Sequence, residues 1–380
     1  MLPDVLNPTP LIAEVLPLLP PSRDKLTLIV KGTFDVRRDG RTRLAKAQLP
    51  LSGDEHEGDP TSPVRYESDL VPFKPRADLL CVGRAHAPGG QPVTSLGVRF
   101  GLVERPKEIR VFGDRRLRMA GPTPEIGPPE PFTSLDLSYC RAFGGADPED
   151  PDGMSFCLTN PIGRGYARKA GAQRDRPMPN LELRGQPLRT LAEPLPPAGF
   201  GPIGRTWQPR LALAGTYDER WQNERAPELP EDFDYRFFNA APPDQQLEGF
   251  LHGDESLWVE NLHPELSRLT VRLPGVRIRA FFEAAPDLGD DRGVVSGLRE
   301  LRLRLDTAWL DMEALRLVLV WRVGLYAAHV AEGGALLIGA ERIADEPKPV
   351  AIHAAQLTAL KAEALAVDVE ADEAEQSLAG

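Results

Sequence analysis

Leu26-Thr27-Leu28-Ile29-Val30-Lys31-Gly32-Thr33-Phe34-Asp35-Val36, followed by the turn signal Asp39-Gly40, decides the fold class of this chain. Its side chains alternate in character with a period of two, the repeat of a β-strand. Working outward, Asp78 to His86 reads as a second strand closed by Pro88-Gly89-Gly90, and Pro92 to Val103 as a third. Lys107-Glu108-Ile109-Arg110-Val111-Phe112 is a fourth and stops at Gly113-Asp114. Short strands at this spacing predict an antiparallel sandwich or barrel-like core over residues 1–120, not βαβ units.

A second β region covers residues 251–350. Ser256 to Asn261, Arg268 to Leu273 and Val276 to Phe282 are strand-like, with Pro274-Gly275 as a tight turn. Leu301, Leu303 and Leu305 alternate with arginines, and beyond Asp311 the residues Leu315, Leu317, Leu319 and Trp321 repeat the period. This predicts one long antiparallel hairpin with an arginine-lined outer face. Ala335 to Ile343 is a last strand. Residues 351–380 predict an acidic helix: His353 to Leu378 lacks Pro and internal Gly, and Leu357, Leu360, Ala364 and Val367 mark a stripe.

Residues 121–250 differ, holding 20 of the 39 prolines. Each proline removes a backbone donor, so few regular elements survive there. One short helix is predicted where Thr216 and Glu219 have capping-box spacing, ended by Pro227. The remainder reads as long Pro/Gly-rich loops wrapped over the β core and anchored by Phe143, Phe200, Trp207, Trp221, Phe237 and Phe238. A flexible linker is seldom so aromatic.

The 380 residues are 41% hydrophobic and 27% charged, the balance of a soluble globular chain that can bury a large core. A net charge of −11 argues against a general nucleic-acid binder, because phosphate neutralisation needs a basic surface. Six acids beyond Lys361 supply part of that charge and read as a solvated face. Cys81, Cys140 and Cys157 have no CxxC spacing, and the N-terminus lacks a basic n-region. With no apolar run long enough to span a bilayer, the expectation is a cytoplasmic protein with reduced thiols and no membrane partner.

Catalytic signatures are missing. No GxSxG elbow, P-loop or GxGxxG after a strand occurs, and Ser296 in Gly293-Val294-Val295-Ser296-Gly297 is off register. The six histidines form no HxH or HExxH pattern, and His56 between Glu55 and Glu57 reads as a solvated turn. The acidic loop Gly144 to Gly153 lacks calcium-loop spacing and reads as hydrated. No metal or cofactor is expected. Only eight basic residues are lysine, an arginine bias that suits bidentate pairing.

The densest motif is Gly58-Asp59-Pro60 with Arg65-Tyr66-Glu67-Ser68-Asp69-Leu70-Val71-Pro72-Phe73-Lys74-Pro75-Arg76, running on to Ala85-His86-Ala87-Pro88-Gly89-Gly90. Asp59 and Asp69 flank Arg65 and Tyr66 and read as buried acids. Beside Arg65, Lys74 and Arg76, an ion-pair network outweighs an acid/base pair. The alternative is a β-sandwich enzyme, carbohydrate-active, using Asp59, Asp69 and His86.

Together with Arg110-Val111-Phe112-Gly113-Asp114-Arg115, Ala142-Phe143-Gly144-Gly145, Asn160-Pro161-Ile162-Gly163-Arg164-Gly165, Pro197-Ala198-Gly199-Phe200-Gly201-Pro202 and Phe237-Phe238-Asn239-Ala240-Ala241-Pro242, this motif carries a resemblance. Over roughly residues 25–250 the chain resembles a bacterial domain-of-unknown-function family encoded beside type VI secretion effector and spike genes. The resemblance implies a non-catalytic adaptor or chaperone whose partners are a cognate secreted effector and spike-complex proteins. It implies no catalytic residue. Asp59, Arg65, Tyr66, Asp69, Phe73, Lys74, Arg76, His86, Asp114 and Arg115 become candidates for a structural or binding role.

Overall fold

The computed structural model describes residues 2–18, 24–120, 123–150, 152–168, 175–188, 195–285 and 297–362. The chain is mainly β, and among the described residues no sheet closes into a barrel. A seven-stranded sheet runs in the order Gln246–Leu247, Ala77–Val82, Arg304–Asp311, Arg316–Tyr326, Lys25–Val36, Ile12–Leu16, with Thr42–Leu44 also pairing Lys25–Val36. A five-stranded sheet runs Leu181–Leu183, Arg105–Phe112, Ser95–Leu102, Ser256–Glu260, Arg268–Arg272. A four-stranded sheet runs Asp4–Leu6, Ala335–Arg342, Val276–Glu283, Leu298–Leu301. Strands from residues 1–120 and 251–350 share all three, and residues 121–250 add one edge strand to each of the two larger sheets.

The period of two explains the layering. Leu28, Val30 and Phe34 point to one side of the large sheet, joined by Leu79, Cys81, Leu317 and Leu319. Across from them Val98, Phe100, Ile109, Val111, Leu257 and Val259 of the five-stranded sheet complete a single apolar cluster. The four-stranded sheet adds Ile278, Ala280, Phe282, Leu336 and Ile338 to it. Its other face, Phe281, Ala335 and Leu337, is covered by a helix over residues 350–362 through Leu357 and Leu360.

Several expectations need correction. The stretch from Asp78 to His86 is two strands. Gly83, at φ +146°, breaks it, and a Cβ there would lie 3.1 Å from Met312 Cβ. Beyond the break, Arg84–His86 pairs with Ser134–Asp136 in a separate ribbon. The long hairpin forms as Arg304–Asp311 against Arg316–Tyr326, whereas Leu298–Leu301 belongs to the four-stranded sheet. Its outer face is covered at Arg322, which is 3% exposed, and stays open at Arg304. The mid-chain helix is Glu219–Glu224, capped by Asp218 through Trp221 N at 2.8 Å, while Thr216 binds Asp232 instead. Phe143, Phe200 and Trp207 are buried anchors, whereas Trp221, Phe237 and Phe238 are half-buried. Ser296, and the C-terminal helix beyond residue 362 with Ala364 and Val367, lie outside the described residues.

One buried histidine, scattered by sequence, is fixed by the fold. His353 stacks on Phe281 with ring centres 4.2 Å apart, and its Nε2 lies 3.2 Å from Glu341 Oε1. Burial lowers its pKa, opposed by the hydrogen bond to Glu341 and seconded by Arg279. The docked helix therefore favours the neutral ring. Its contribution is complete above the ordinary histidine value of 6.5 and is lost as pH falls through the lowered one. Hydrogen-exchange protection of residues 350–362 is expected to drop between about pH 7 and about pH 5, and to drop less in His353→Phe. Leu357→Ala should cost about 2–4 kcal/mol in urea unfolding, since it empties a packed site.

Candidate functional site

The outer face of the large sheet is roofed by residues 46–75. Strand residues Thr27, Ile29, Lys31 and Thr33 point into this roof. Gln48 fills the gap left on the Lys25–Val36 edge: its side-chain amide bonds Thr33 N at 2.8 Å and Thr33 O at 3.0 Å. Trp309, Leu80, Val318, Val320 and Ile29 form the apolar part of the contact, and the Tyr66 ring meets Trp309 edge-on at 5.0 Å.

The rest of the contact is charged. Lys31 Nζ donates to Asp69 Oδ2 at 2.7 Å and to Pro50 O at 2.8 Å. The same carboxylate accepts Ser52 N at 3.0 Å and the Tyr66 hydroxyl at 2.7 Å. Burial, with Asp69 adding to it, pushes the Tyr66 pKa well above its usual value, so the phenol remains a donor. Arg322 donates to the Asp69 carbonyl at 2.9 Å and pairs with Asp306. Lys74 Nζ binds Asp78 Oδ2 at 2.7 Å, and Asp78 also accepts Asn239 Nδ2 and Ala240 N, each at 2.9 Å. Lys31, Lys74 and Arg322 thus face Asp69, Asp78 and Asp306, all of them buried and balanced in charge. At the flank, buried Glu67 pairs with Arg210 at 2.9 Å. Burial works to raise the Glu67 pKa, but Arg210 and Arg205 bring it below the ordinary carboxylate value.

The predicted ion-pair lattice therefore exists, with different partners. Asp69 is 1% exposed, but its cation is Lys31 rather than Arg65, Lys74 or Arg76. Arg65 reaches Asp311 at 2.7 Å and Glu313 at 3.5 Å, and Arg76 reaches Glu248 at 2.9 Å. Asp59 is exposed, contrary to expectation, because it caps its own turn through Thr61 N at 2.8 Å. His86 is half-buried on the ribbon strand, and burial with the Arg84 charge lowers its pKa. Among the described residues Asp59, Asp69 and His86 share no hydrogen-bond or ion-pair partner, so nothing favours a joint acid/base site. Phe73 packs on Tyr235 with ring centres 4.9 Å apart. Asp114 accepts Asn180 Nδ2 at 2.9 Å, and Arg115 covers the Phe112 ring at 4.1 Å while pairing with Glu182.

The other motif blocks interlock beside this roof. Asn160 Nδ2 donates to Tyr139 O at 2.9 Å and Phe143 O at 3.0 Å, and the Gly144 backbone passes so close that a Cβ would lie 2.1 Å from Asn160 O. Asp147 of the acidic loop is buried, accepting Glu149 N and Arg168 N, so it is structural rather than hydrated. His56 is half-buried in a short strand pair, with Nδ1 2.8 Å from Ser62 O, rather than in a solvated turn.

These blocks border a cleft of about 360 Å³ lined by Arg65, Arg141 and Arg164 together with Glu57, Asp136 and Glu313. Burial and the neighbouring Arg141 lower the Arg164 pKa, and its Nε donates to Cys140 O at 3.0 Å. Partial burial raises Glu57 against the hydrogen bond from Ser138. A lining of both signs suits polar recognition. Nucleophilic chemistry has less to work with: burial pushes the Cys81 thiol well up, the reverse of activation. Among the described residues no three His, Cys, Asp or Glu side chains group as metal ligands, and no helix is long and apolar enough to cross a membrane.

Fold and site define an open β scaffold whose motif residues are engaged mainly with partners elsewhere in the chain. The chain belongs to the family described as an uncharacterized protein conserved in bacteria (DUF2169), whose model matches residues 22–322. No curated protein and no solved structure matches it. The family match extends beyond residue 250 and takes in Asp306, Asp311 and Arg322, the sheet-side partners of the roof.

Sequence reading missed Lys31, Asp306, Asp311 and Arg322. Their signal was a charge inside an otherwise buried strand, as in Leu305-Asp306-Thr307 and Trp321-Arg322-Val323. Lys31→Met alone leaves the Asp69 carboxylate without its cation and should cost about 3–5 kcal/mol. Asp69→Asn should be similarly damaging. The double variant should lose less than the sum by about 1–3 kcal/mol, and strict additivity in urea unfolding would refute the pairing.

Proposed function

We propose that this chain is a non-catalytic adaptor or chaperone that binds a cognate type VI secretion effector in the cytoplasm and helps load it onto the secretion spike. The observation that carries this reading is the use of the chain's densest motif. Asp69, Lys74, Tyr66 and Arg65 are engaged in holding a roof on a sheet, which leaves surface, rather than a tuned catalytic group, to do the work.

The surface supports polypeptide binding. Met154, Phe156 and Leu158 alternate with buried Ser155 and Cys157 and stand 78%, 41% and 53% exposed. Gln208 N bonds Leu158 O at 2.8 Å, which brings exposed Leu211 into the same region. Contiguous exposed apolar side chains of this kind mark protein contacts more often than solvent.

The chain is expected to co-purify with the product of a neighbouring effector gene, and its deletion should leave that effector insoluble or unsecreted. Met154→Ser with Leu158→Ser should cut effector capture at least tenfold, about 1.4 kcal/mol or more, without moving Tm. Normal solubility and secretion of the effector without this chain would end the proposal.

A further inference from the structure

The adjoining ends of Lys25–Val36 and Arg316–Tyr326, together with Pro72-Phe73-Lys74, enclose a groove of about 440 Å³ that the charge lattice does not fill. Its walls are apolar: Pro72, Phe73 and the half-exposed ring of Tyr326. The charges at its floor are neutralised internally, Lys74 by Asp78 and Arg322 by Asp306. The rim is different. Lys25, Arg302 and Arg304 are exposed, and among the described residues none has an ion-pair partner; Arg304 only lies over the Phe250 ring at 4.8 Å.

Three cations without an ion-pair partner among the described residues ring this slot in a chain of net charge −11. An incoming anion would meet all three, and the slot offers burial to side chains between the carboxylates. The volume lies within the range of about 300–1,000 Å³ usual for ligand clefts. A nucleic-acid strand fits less well, because the surrounding protein field is negative and the cations span one groove rather than a track.

We propose that this groove docks an acidic, partly apolar peptide segment of the partner protein, with apolar side chains against Phe73 and Tyr326 and carboxylates on Lys25, Arg302 and Arg304. The inference rests on the reading above that the chain grips another polypeptide, and it names the segment that is gripped.

The test is fluorescence anisotropy with the full-length chain and a labelled nonapeptide alternating leucine and glutamate. Binding that weakens at least tenfold in Lys25→Glu/Arg302→Glu/Arg304→Glu, with Tm unchanged, is the expected result. The single Arg302→Glu variant should weaken it about threefold, by roughly 0.6 kcal/mol. Arg43→Glu, an exposed cation toward the far end of the Lys25–Val36 strand, should bind as the parent does. Equal binding by parent and triple variant would overturn the inference. So would equal binding of a leucine/lysine peptide or of oligothymidine. A tenfold gain on changing the acids Glu363, Asp368, Glu370, Asp372, Glu373 and Glu375 to amides would reassign the groove to the chain's own terminus. Because the probe is a peptide and not the effector, this experiment can fail while effector capture succeeds, and the reverse.

Discussion

The contact between Lys31 and Asp69 connects sheet and roof at a point where neither can reach water. Each residue is 1% exposed, and a charge so placed is tolerated only when it is paired and fully hydrogen-bonded. Asp69 meets that condition through Lys31, Tyr66 and Ser52, and its own carbonyl is taken by Arg322. A roof displaced by one residue would strand several ions at once. The value of the arrangement is therefore less in net stability than in selecting one conformation of a proline-rich segment that has few ladder hydrogen bonds to define it.

The rest of the architecture is arranged around this two-sided sheet. One face is ordinary hydrocarbon, shared with the five- and four-stranded sheets. The other mixes Ile29, Leu80, Trp309 and Val318 with the charge lattice. The interlocked blocks around Asn160 and Gly144 abut the same roof, at the cleft that Glu57 and Arg65 share with Arg141 and Arg164. Motif density in this chain thus follows the difficulty of the packing problem. Recognition of other molecules is left to surfaces between the motifs.

Much of this was legible from residue order. The strands came from a period of two, the helix from its Leu357 and Leu360 stripe, and the presence of a buried ion-pair network from acids and arginines crowded around Tyr66. Partner identity was not legible, because Lys31 and Asp306 lie far from Asp69 and Arg322 lies 253 residues from it along the chain. Asp59 was misjudged for a related reason: its turn, closed by Thr61, satisfies the carboxylate locally and lets it stay outside. The break at Gly83 depends on the approach of Met312, which no local pattern announces.

The parallel pairing of Ala77–Val82 with Arg304–Asp311 has a consequence for biogenesis. The inner strand of the largest sheet cannot be flanked on both sides until more than three quarters of the polypeptide has left the ribosome. Until then the strand ending at Val82 exposes an unzipped edge, and Asp78 waits beside Lys74 for the layers that will enclose them. Assembly is thus dominated by distant contacts, which puts the chain among slow folders whose nascent forms are vulnerable to self-association.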